Sequence, residues 1–402
     1  MRCFMSCFSM FCHPIVFIRP KPLVSSLLMI VGLSSSAAHA GGSWSTFIHS
    51  CPGTNRTDAL HRDADGSLWV GCGTNAKGYG LHASFNGGVD WQEIEVTPSV
   101  LLNEFRVNSI SRGHDGALYV AGFQSATATM VLRLDTTSNP PYPASVTLSG
   151  VTQGGGRQFT VGNYSELSDG RAIAESLNGS DLLYRPDAVT GSSAADWTVP
   201  DTLQGQILSL VVHDDEFYAS GSTITEPPRV FLPPQGAGSE PYEFERVDLS
   251  SFWDGEMWGV AANDQQVALT GRDQTFGIGI ILVSSGDPYD SANYLEYDIL
   301  DIVDASATSS WGRGVCMNGE RIVVVGERLP QGGNSGFAVA STDGGATFTD
   351  ITPPSSLPPS TISRCTIAPN GLVIVAGSSG FVGFYDGLVP GDSIFSDRFS
   401  QP

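Results

Sequence analysis

Apolar and polar residues alternate along this chain in a short hairpin pattern that occurs seven times. Each copy has an alternating run, a turn that contains Asp or Asn, and a second apolar run that ends in small residues. Residues 59–73 (ALHRDADGSLWVGCG) show all three parts. Alternation predicts half-buried strands, and the turn joins them as a β-hairpin. The turn residues are Asp65, Asp115, Asp169, Asp214, Asp264, Asn318 and Asn370, at intervals of 50, 54, 45, 50, 54 and 52.

Two further apolar runs follow most of the hairpins. In the second repeat they are residues 130–135 (MVLRLD) and 144–149 (ASVTLS). Such runs, bounded by Gly, Pro, Ser and Asp, predict strands. A repeat of this length made only of strands predicts the blades of a β-propeller. We therefore predict an all-β fold, a single seven-bladed β-propeller of four-stranded antiparallel blades.

The seventh repeat lacks a fourth apolar run, whereas residues 43–50 (SWSTFIHS) have no hairpin ahead of them. We predict that this N-terminal strand pairs in the last blade and closes the ring. Its pairing would remove two open sheet edges, which otherwise promote aggregation. The predicted propeller covers residues 41–390, and residues 391–402 form a C-terminal tail.

Residues 1–40 are predicted to be a signal peptide. Arg19 and Lys21 precede an apolar stretch, and the small residues at 38–40 (AHA) suit a cleavage site. The apolar stretch is too short to span a bilayer, so a retained membrane helix is the less favoured alternative. The tail sequence GDSIFSDRF resembles a short C-terminal signature of exported proteins of Gram-negative bacteria. We expect a periplasmic or extracellular protein.

The charge of the chain argues against two classes of partner. Its 41 acidic and 20 basic residues give a net charge of −21. Three basic residues lie in the predicted signal peptide, and Lys77 is the one lysine after it. An acidic surface repels phosphate backbones and anionic lipids. We therefore expect no nucleic-acid or membrane partner. No second long apolar run follows the predicted signal peptide, so we also expect no membrane span.

Four cysteines follow the predicted signal peptide. An even number in an exported chain is compatible with two disulfides, for which three pairings are possible. We favour pairs within the same or adjacent repeats, which are Cys51–Cys72 and Cys316–Cys365. Their spacing matches no zinc motif. We expect no metal and no cofactor.

Two short segments, SFNGGVDW (84–91) and STDGGATF (341–348), place a Ser, an Asp or Asn, a Gly and an aromatic residue at fixed spacing. They resemble the Asp-box (BNR-type) repeat of propellers such as sialidases, large glucan hydrolases, sortilin-type receptors and photosystem II assembly factors. The resemblance implies a propeller fold and a structural turn, and it implies no activity. The residues that carry it are Ser84, Asn86, Gly88, Trp91, Ser341, Asp343, Gly345 and Phe348.

Six arginines lie near the ends of the predicted inner strands, where a propeller would gather them on one axial face. Guanidinium groups there could bind a carboxylate or a sulfate. The alternative is that they pair with neighbouring acids such as Glu104, Asp254 and Asp273. The six are Arg56, Arg106, Arg157, Arg272, Arg313 and Arg364.

Trp253, Trp258 and Trp311 occupy comparable segments and could form a sugar- or peptide-binding face on the same side. Packing between blades is the alternative for each. No catalytic signature such as Gly-x-Ser-x-Gly or His-Glu-x-x-His occurs, and the Phe-Arg-Ile-Pro run of sialidases is absent.

The sequence therefore favours an exported, non-catalytic binding or scaffold module that engages a protein or a glycan on one axial face, as a monomer. The alternative is a glycoside hydrolase or a lyase with a divergent active site on the same face. A hydrolase would be sialidase-like or another Asp-box propeller enzyme.

Overall fold

Strands make up nearly all of the regular structure in the computed structural model of this protein. It describes residues 42–48, 56–73, 78–102, 104–123, 129–149, 161–176, 182–186, 197, 207–221, 228–235, 242–249, 255–329, 334–354 and 359–389.

In chain order the strands are β1 (Trp44–Ile48), β2 (Arg56–Arg62), β3 (Leu68–Gly73), β4 (Gly78–Ser84), β5 (Gln92–Glu93), β6 (Val96–Thr97), β7 (Arg106–Arg112), β8 (Leu118–Phe123), β9 (Thr129–Leu134), β10 (Tyr142–Ser149), β11 (Val161–Glu166), β12 (Ala172–Ser176), β13 (Leu182–Arg185), β14 (Ile207–His213), β15 (Glu216–Gly221), β16 (Arg229–Leu232), β17 (Glu245–Asp248), β18 (Gly255–Ala262), β19 (Val267–Asp273), β20 (Gly279–Ser284), β21 (Tyr294–Asp298), β22 (Ser310–Asn318), β23 (Arg321–Arg328), β24 (Ser335–Ser341), β25 (Thr349–Asp350), β26 (Ile362–Ile367), β27 (Val373–Gly377) and β28 (Phe381–Tyr385). The described residues also contain a short helix, α1 (Ile299–Val303).

These strands form seven sheets, which are the blades of a seven-bladed β-propeller. Blades 1, 4, 5 and 6 consist of β2–β5, β14–β17, β18–β21 and β22–β25. Blade 2 consists of β7–β10, with β6 added in parallel at its outer edge. Blade 3 contains β11–β13, and blade 7 contains β26–β28 with β1. The predicted all-β, seven-bladed fold is confirmed. Of the predicted fourth strand of blade 3, at 196–200, only Trp197 lies among the described residues.

The first strand of each blade lies innermost. Each innermost strand contacts the innermost strands of the two neighbouring blades, and β26 contacts β2 to complete the circle. All seven begin at one end of the central channel and end at their hairpin turns at the other. We call the first end the loop face and the second the hairpin face.

The apolar core lies between the blades. Seven clusters of buried side chains occur in the described residues, one at each contact between neighbouring blades. Val70 of blade 1 and Ile374 of blade 7, for example, share one cluster. A blade cannot bury both of its faces alone, so each depends on its neighbours. Full burial of one such side chain contributes about 1.5–3 kcal/mol.

The N-terminal strand β1 pairs antiparallel with β28, Trp44 opposite Tyr385. The Trp44 indole donates a hydrogen bond to the Ile351 carbonyl oxygen at 2.8 Å, and Ser43 donates two to the Asp386 carboxylate. The contribution of this strand to ring closure stays a prediction. Within the residues described, no helix is long and apolar enough to cross a membrane.

Candidate functional site

The innermost strands enclose a channel of about 340 Å³ that all seven blades line. Serine, asparagine and arginine side chains alternate along its wall with apolar ones such as Ile110 and Val260. Concave sites that combine a few polar groups with apolar and aromatic walls are the usual places for ligand binding. The channel is therefore the first candidate for a ligand-binding site.

Every innermost strand carries a register shift near the loop face, where the pairing with the next strand skips one or two residues. In β18, for example, the pairing passes from Met257 to Gly259 and omits Trp258. A β-bulge of this kind redirects a side chain and often lies beside a functional site. The skipped residues are Asp58, Asn108, Gly162 with Asn163, Leu208, Trp258, Arg313 and Ser363.

Two of these bulges bring Trp258 and Arg313 together across the contact between blades 5 and 6. The Arg313 guanidinium lies 5.1 Å from the centre of the Trp258 ring and 4.2 Å from that of Trp311. Glycines flank Arg313 on both sides. A Cβ at Gly312 would lie 1.8 Å from the Thr270 hydroxyl oxygen, so only Gly permits this close packing of the blades.

The stack continues to a second arginine. Arg272 lies on strand β19 of blade 5, and its guanidinium is 4.3 Å from the centre of the Trp311 ring. The order Trp258–Arg313–Trp311–Arg272 thus alternates indole rings and guanidinium groups, and we call these four residues the Trp–Arg ladder. A cation over an aromatic face contributes about 0.5–2 kcal/mol, depending on its exposure.

The charge of Arg313 is matched by a carboxylate. Its Nε donates a hydrogen bond to Glu327 Oε1 at 3.1 Å, and its Nη2 contacts the same oxygen. The Thr361 hydroxyl donates to the other oxygen of Glu327 at 2.7 Å. Both side chains of the pair are largely buried, so Arg313 is fixed in place between the two indole rings.

Arg364 also lines the channel, near the start of β26, and donates a hydrogen bond to the Ser363 carbonyl oxygen at 2.9 Å. Within electrostatic reach of it lies Glu175 of blade 3, which is fully buried. Asn163, another lining residue, donates to Glu175 Oε2 at 2.7 Å, and Oε1 has no hydrogen-bond partner. Burial raises the pKa of Glu175 to about 8, although Asn163 and Arg364 act in the opposite direction.

The sequence prediction did not include Glu175 or Asn163. The signal for Glu175 was present, because the third repeat has Glu175-Ser176 where the other repeats have Gly at the end of the second strand. Nothing in the sequence marks Asn163, whose side chain enters the channel through a bulge.

The remaining predicted ligand residues lie elsewhere. Arg106 begins β7 on the loop face, but its guanidinium lies 5.3 Å above the Phe123 ring and it does not line the channel. Arg56 begins β2, and its side chain is outside the description. Arg157 and Trp253 lie outside the described residues.

The hairpin face carries charged groups of a different kind, paired between blades. Asp63 of blade 1 accepts hydrogen bonds from Arg112 of blade 2, at 2.7 Å from its Nε, and from Trp69 and His61 of its own blade. Burial alone would raise the pKa of Asp63, but these hydrogen bonds hold it well below its usual range. This pair joins neighbouring blades and leaves no charge unmatched.

Glu166 of blade 3 lies at the next contact between blades. Its carboxylate is buried, pairs with Arg185 of its own blade, and lies 3.1 Å from His114 Nδ1 of blade 2. The ligand atoms of His114, Asp115 and Glu166 lie within 4.8 Å of one another. Because Arg185 already compensates Glu166, the cluster is better explained as a contact between blades than as a cation site.

Cys316 of β22 and Cys365 of β26 form a disulfide that joins the innermost strands of blades 6 and 7, with a Cα–Cα distance of 5.8 Å. Cys72 is buried in β3. Cys51 lies outside the described residues, so the Cys51–Cys72 pairing stays a prediction.

The two segments at 84–91 and 341–348 form equivalent turns. In each, a serine hydroxyl accepts from the backbone N–H of the residue four positions on, at 2.8 Å for both Gly88 and Gly345. The side chain of the motif's Asn or Asp also accepts a hydrogen bond from a backbone N–H: Asn86 from Asp90, and Asp343 from Thr347. Both glycines have positive φ, and none of these residues lines the channel.

No protein-family model and no curated protein matches this sequence. Among solved structures, YCF48 bound to D1 peptide is similar with a TM-score of 0.56 at 16% identity, over 85% of this chain and 96% of that one. Virginiamycin B lyase from Staphylococcus aureus is similar with a TM-score of 0.53 at 10% identity, over 86% of this chain and 99% of that one.

The WD40 propeller domain of Doa1 is similar with a TM-score of 0.54 at 11% identity, over 89% of this chain and 99% of that one. At these identities the likeness shows the propeller fold alone. The fold hosts both binding proteins and enzymes, so function has to be argued from the site itself.

Proposed function

We propose that this protein is an exported, non-catalytic β-propeller that binds a protein or a glycan at the loop-face mouth of its channel. The Trp–Arg ladder is the observation that carries the proposal. It combines partly exposed indole rings with guanidinium groups, and Trp and Arg are among the residue types that dominate binding energy at interfaces. Trp258 and Arg313 belong both to the ladder and to the channel wall.

The polar groups around the ladder favour a ligand rich in hydrogen-bonding groups. Asn108 and Asn163 line the channel together with Arg364. Amide and guanidinium groups bind carbonyl, carboxylate and hydroxyl groups, and indole faces pack against the apolar faces of sugars or peptide side chains. Propellers that bind a protein or peptide include YCF48, seen bound to D1 peptide.

The alternative of a glycoside hydrolase requires two carboxyl groups that face each other across a pocket, roughly 5–10 Å apart. Among the described residues beside the Trp–Arg ladder and Arg364, Glu175 is fully buried, Glu327 is paired with Arg313, and Glu256 accepts a hydrogen bond from the Trp258 indole. All three carboxyl groups are engaged within the fold, which favours binding without catalysis.

Three finer points belong to the same proposal. The predicted signal peptide at 1–40 and the Cys316–Cys365 disulfide favour export to the periplasm or the extracellular space. The hydrogen bonding of the turns at 84–91 and 341–348 favours their assignment as Asp-box turns. We also propose that the protein acts as a monomer.

Screening the purified protein against a glycan array and a phage-displayed peptide library tests the binding proposal. For any ligand obtained, Trp258→Ala should raise the Kd at least tenfold, because it removes the aromatic face at the channel wall. Phe85→Ala is the matched control, since Phe85 is an exposed aromatic residue in the 84–91 turn, away from the channel. Equal effects of the two variants, no ligand in either screen, or turnover of a bound glycan would contradict the proposal.

A further inference from the structure

Arg272 differs from the other arginine of the ladder in that its charge is not matched. Within the described part of the chain, its guanidinium stacks on the Trp311 ring, and no ion pair involves it. Its Nε is buried and has no hydrogen-bond partner. A buried donor without a partner is costly, so such a group calls for a physical reason.

The acids nearest to Arg272 are held by other groups. Glu256 lies directly opposite it on β18, but its Oε2 accepts a hydrogen bond from the Trp258 indole at 3.1 Å. Asp273, the next residue, accepts from the backbone N–H groups of Thr275 and Phe276 at 2.7 and 3.1 Å and so shapes the following turn. In a chain with a net charge of −21, a guanidinium left without a carboxylate is unusual.

Two exposed apolar side chains belong to the same stretch of the loop face. Phe276, on the turn that follows β19, is 61% exposed, and Leu329, which follows β23, is 41% exposed. A Cβ at Gly277 would lie 3.1 Å from Arg272 Nη2, which places the turn beside the guanidinium.

Backbone hydrogen bonds connect these loops. Ser310 donates to the Gly277 carbonyl oxygen at 3.1 Å, and Leu329 donates to that of Ser309 at 2.9 Å. The loop-face ends of blades 5 and 6 are therefore joined into one surface, which carries Arg272, Trp311 and the two exposed apolar side chains.

We infer that this surface binds a peptide segment of a partner protein that presents a carboxylate next to an apolar side chain. The carboxylate pairs with the Nη groups of Arg272, since the guanidinium fork suits a carboxylate. The apolar side chain packs on Phe276 or Leu329, which would remove their exposed surface from water. The inference rests on the proposed function and narrows its ligand to a protein.

Charge and apolarity together favour a peptide over a neutral glycan. A neutral sugar offers Arg272 no opposite charge and gives Phe276 and Leu329 little apolar surface to contact. An acidic peptide residue with an apolar neighbour satisfies both. Trp258 and Arg364 would then contact the parts of the peptide that reach the channel.

A phage-displayed library of random dodecapeptides, selected on the wild-type protein, tests this inference. We expect selected sequences to contain Asp or Glu beside Phe, Leu, Ile or Trp. A synthetic peptide in which that acid is replaced by its amide should bind the wild type at least tenfold more weakly. Against Arg272→Gln the acid and amide peptides should bind alike, because the partner of the carboxylate is gone.

Arg272→Lys keeps the charge but loses the bidentate geometry, so its Kd should lie between those of the wild type and Arg272→Gln. Arg106→Gln is the matched control, since Arg106 is another loop-face arginine stacked on an aromatic ring. Circular dichroism and the melting temperature show whether each variant is folded.

The outcomes separate this inference from the proposed function. Selected peptides that bind Arg272→Gln as tightly as the wild type would overturn the inference alone. So would a glycan ligand that depends on Trp258 but not on Arg272, or a selection that yields no peptide. Ligand binding that neither Trp258→Ala nor Arg272→Gln weakens would overturn both.

Discussion

The two ends of the channel are built from the same seven strands, but they differ in how their charges are matched. On the hairpin face, Asp63 pairs with Arg112 and Glu166 with Arg185, so the charged groups hold neighbouring elements together. On the loop face, as far as the structure describes it, no ion pair involves Arg272, and Arg272 Nε and Glu175 Oε1 have no hydrogen-bond partner. Paired buried groups fix neighbouring elements in place, whereas a buried polar group without a partner is costly and calls for a functional reason. The difference is the ground on which we propose that the loop face binds the ligand.

Breaking the buried pair on the hairpin face should have the largest effect on stability. Arg185→Met leaves the Glu166 carboxylate buried without its guanidinium, and removing one partner of such a pair costs about 3–5 kcal/mol. Chemical denaturation of the variant and the wild type measures this loss of stability. The folded fraction of the variant should still bind a loop-face ligand with the Kd of the wild type.

The control for that experiment is the double variant Glu166→Gln with Arg185→Met, which removes both charges. It should recover part of the stability. A single variant as stable as the wild type would contradict the structural role given to the hairpin face.

Glu175→Gln should change the pH dependence of stability. Since burial raises the pKa of Glu175 to about 8, the folded wild type keeps a proton that the unfolded chain has lost. Stability of the wild type should therefore fall by roughly 3 kcal/mol between pH 5 and pH 8 relative to the variant, and the difference should level off above that. Denaturation curves across this range measure it, and parallel profiles would show that Glu175 is ionised in the folded protein.

Both faces depend on a closed ring, which the N-terminal strand is predicted to secure. Trp44→Ala removes an indole that packs in blade 7 and its hydrogen bond to Ile351, and should cost roughly 2 kcal/mol. Trp44→Phe keeps the ring and should lose about half of that. A melting temperature that neither variant lowers would mean that β1 contributes little to closure.

The smallest effect should come from a charge at the outer surface of the hairpin face. Arg133 pairs with Asp115, and both side chains are partly exposed. Exposed pairs contribute about 0–1 kcal/mol, so Arg133→Gln should leave both stability and ligand binding nearly unchanged. Loss of ligand binding in this variant would indicate that the ligand binds at the hairpin face and would contradict the proposed loop-face site.

The fold could be predicted from sequence because its signal is repeated and local. Alternation and an Asp- or Asn-containing turn specify a hairpin wherever they occur, and turns such as Asp115-Gly116 recur at blade spacing. The stacking of blades then follows from the need to bury both faces of each sheet.

The site could be predicted only in part, because it depends on bulges and on contacts between blades. The sequence predicts Trp258 and Arg313 as ligand residues, but their contact depends on two bulges that the alternation pattern does not show. The sequence prediction places Arg106 and Arg313 in one group, but the two differ in their distance from the hairpin turn. Arg106 lies nine residues before Asp115, whereas Arg313 lies five residues before Asn318. That count places Arg106 further along its strand toward the loop face, where it packs on Phe123 instead of entering the channel.

Hydrogen–deuterium exchange of the wild-type protein, with and without a ligand selected from the peptide or glycan screen, tests the central claim most directly. If the loop face binds, amide protection should appear at 255–259, 274–278 and 310–314, and the hairpin turns at 63–67 and 113–117 should be unchanged. Protection confined to the hairpin turns would contradict the assignment of binding to the loop face.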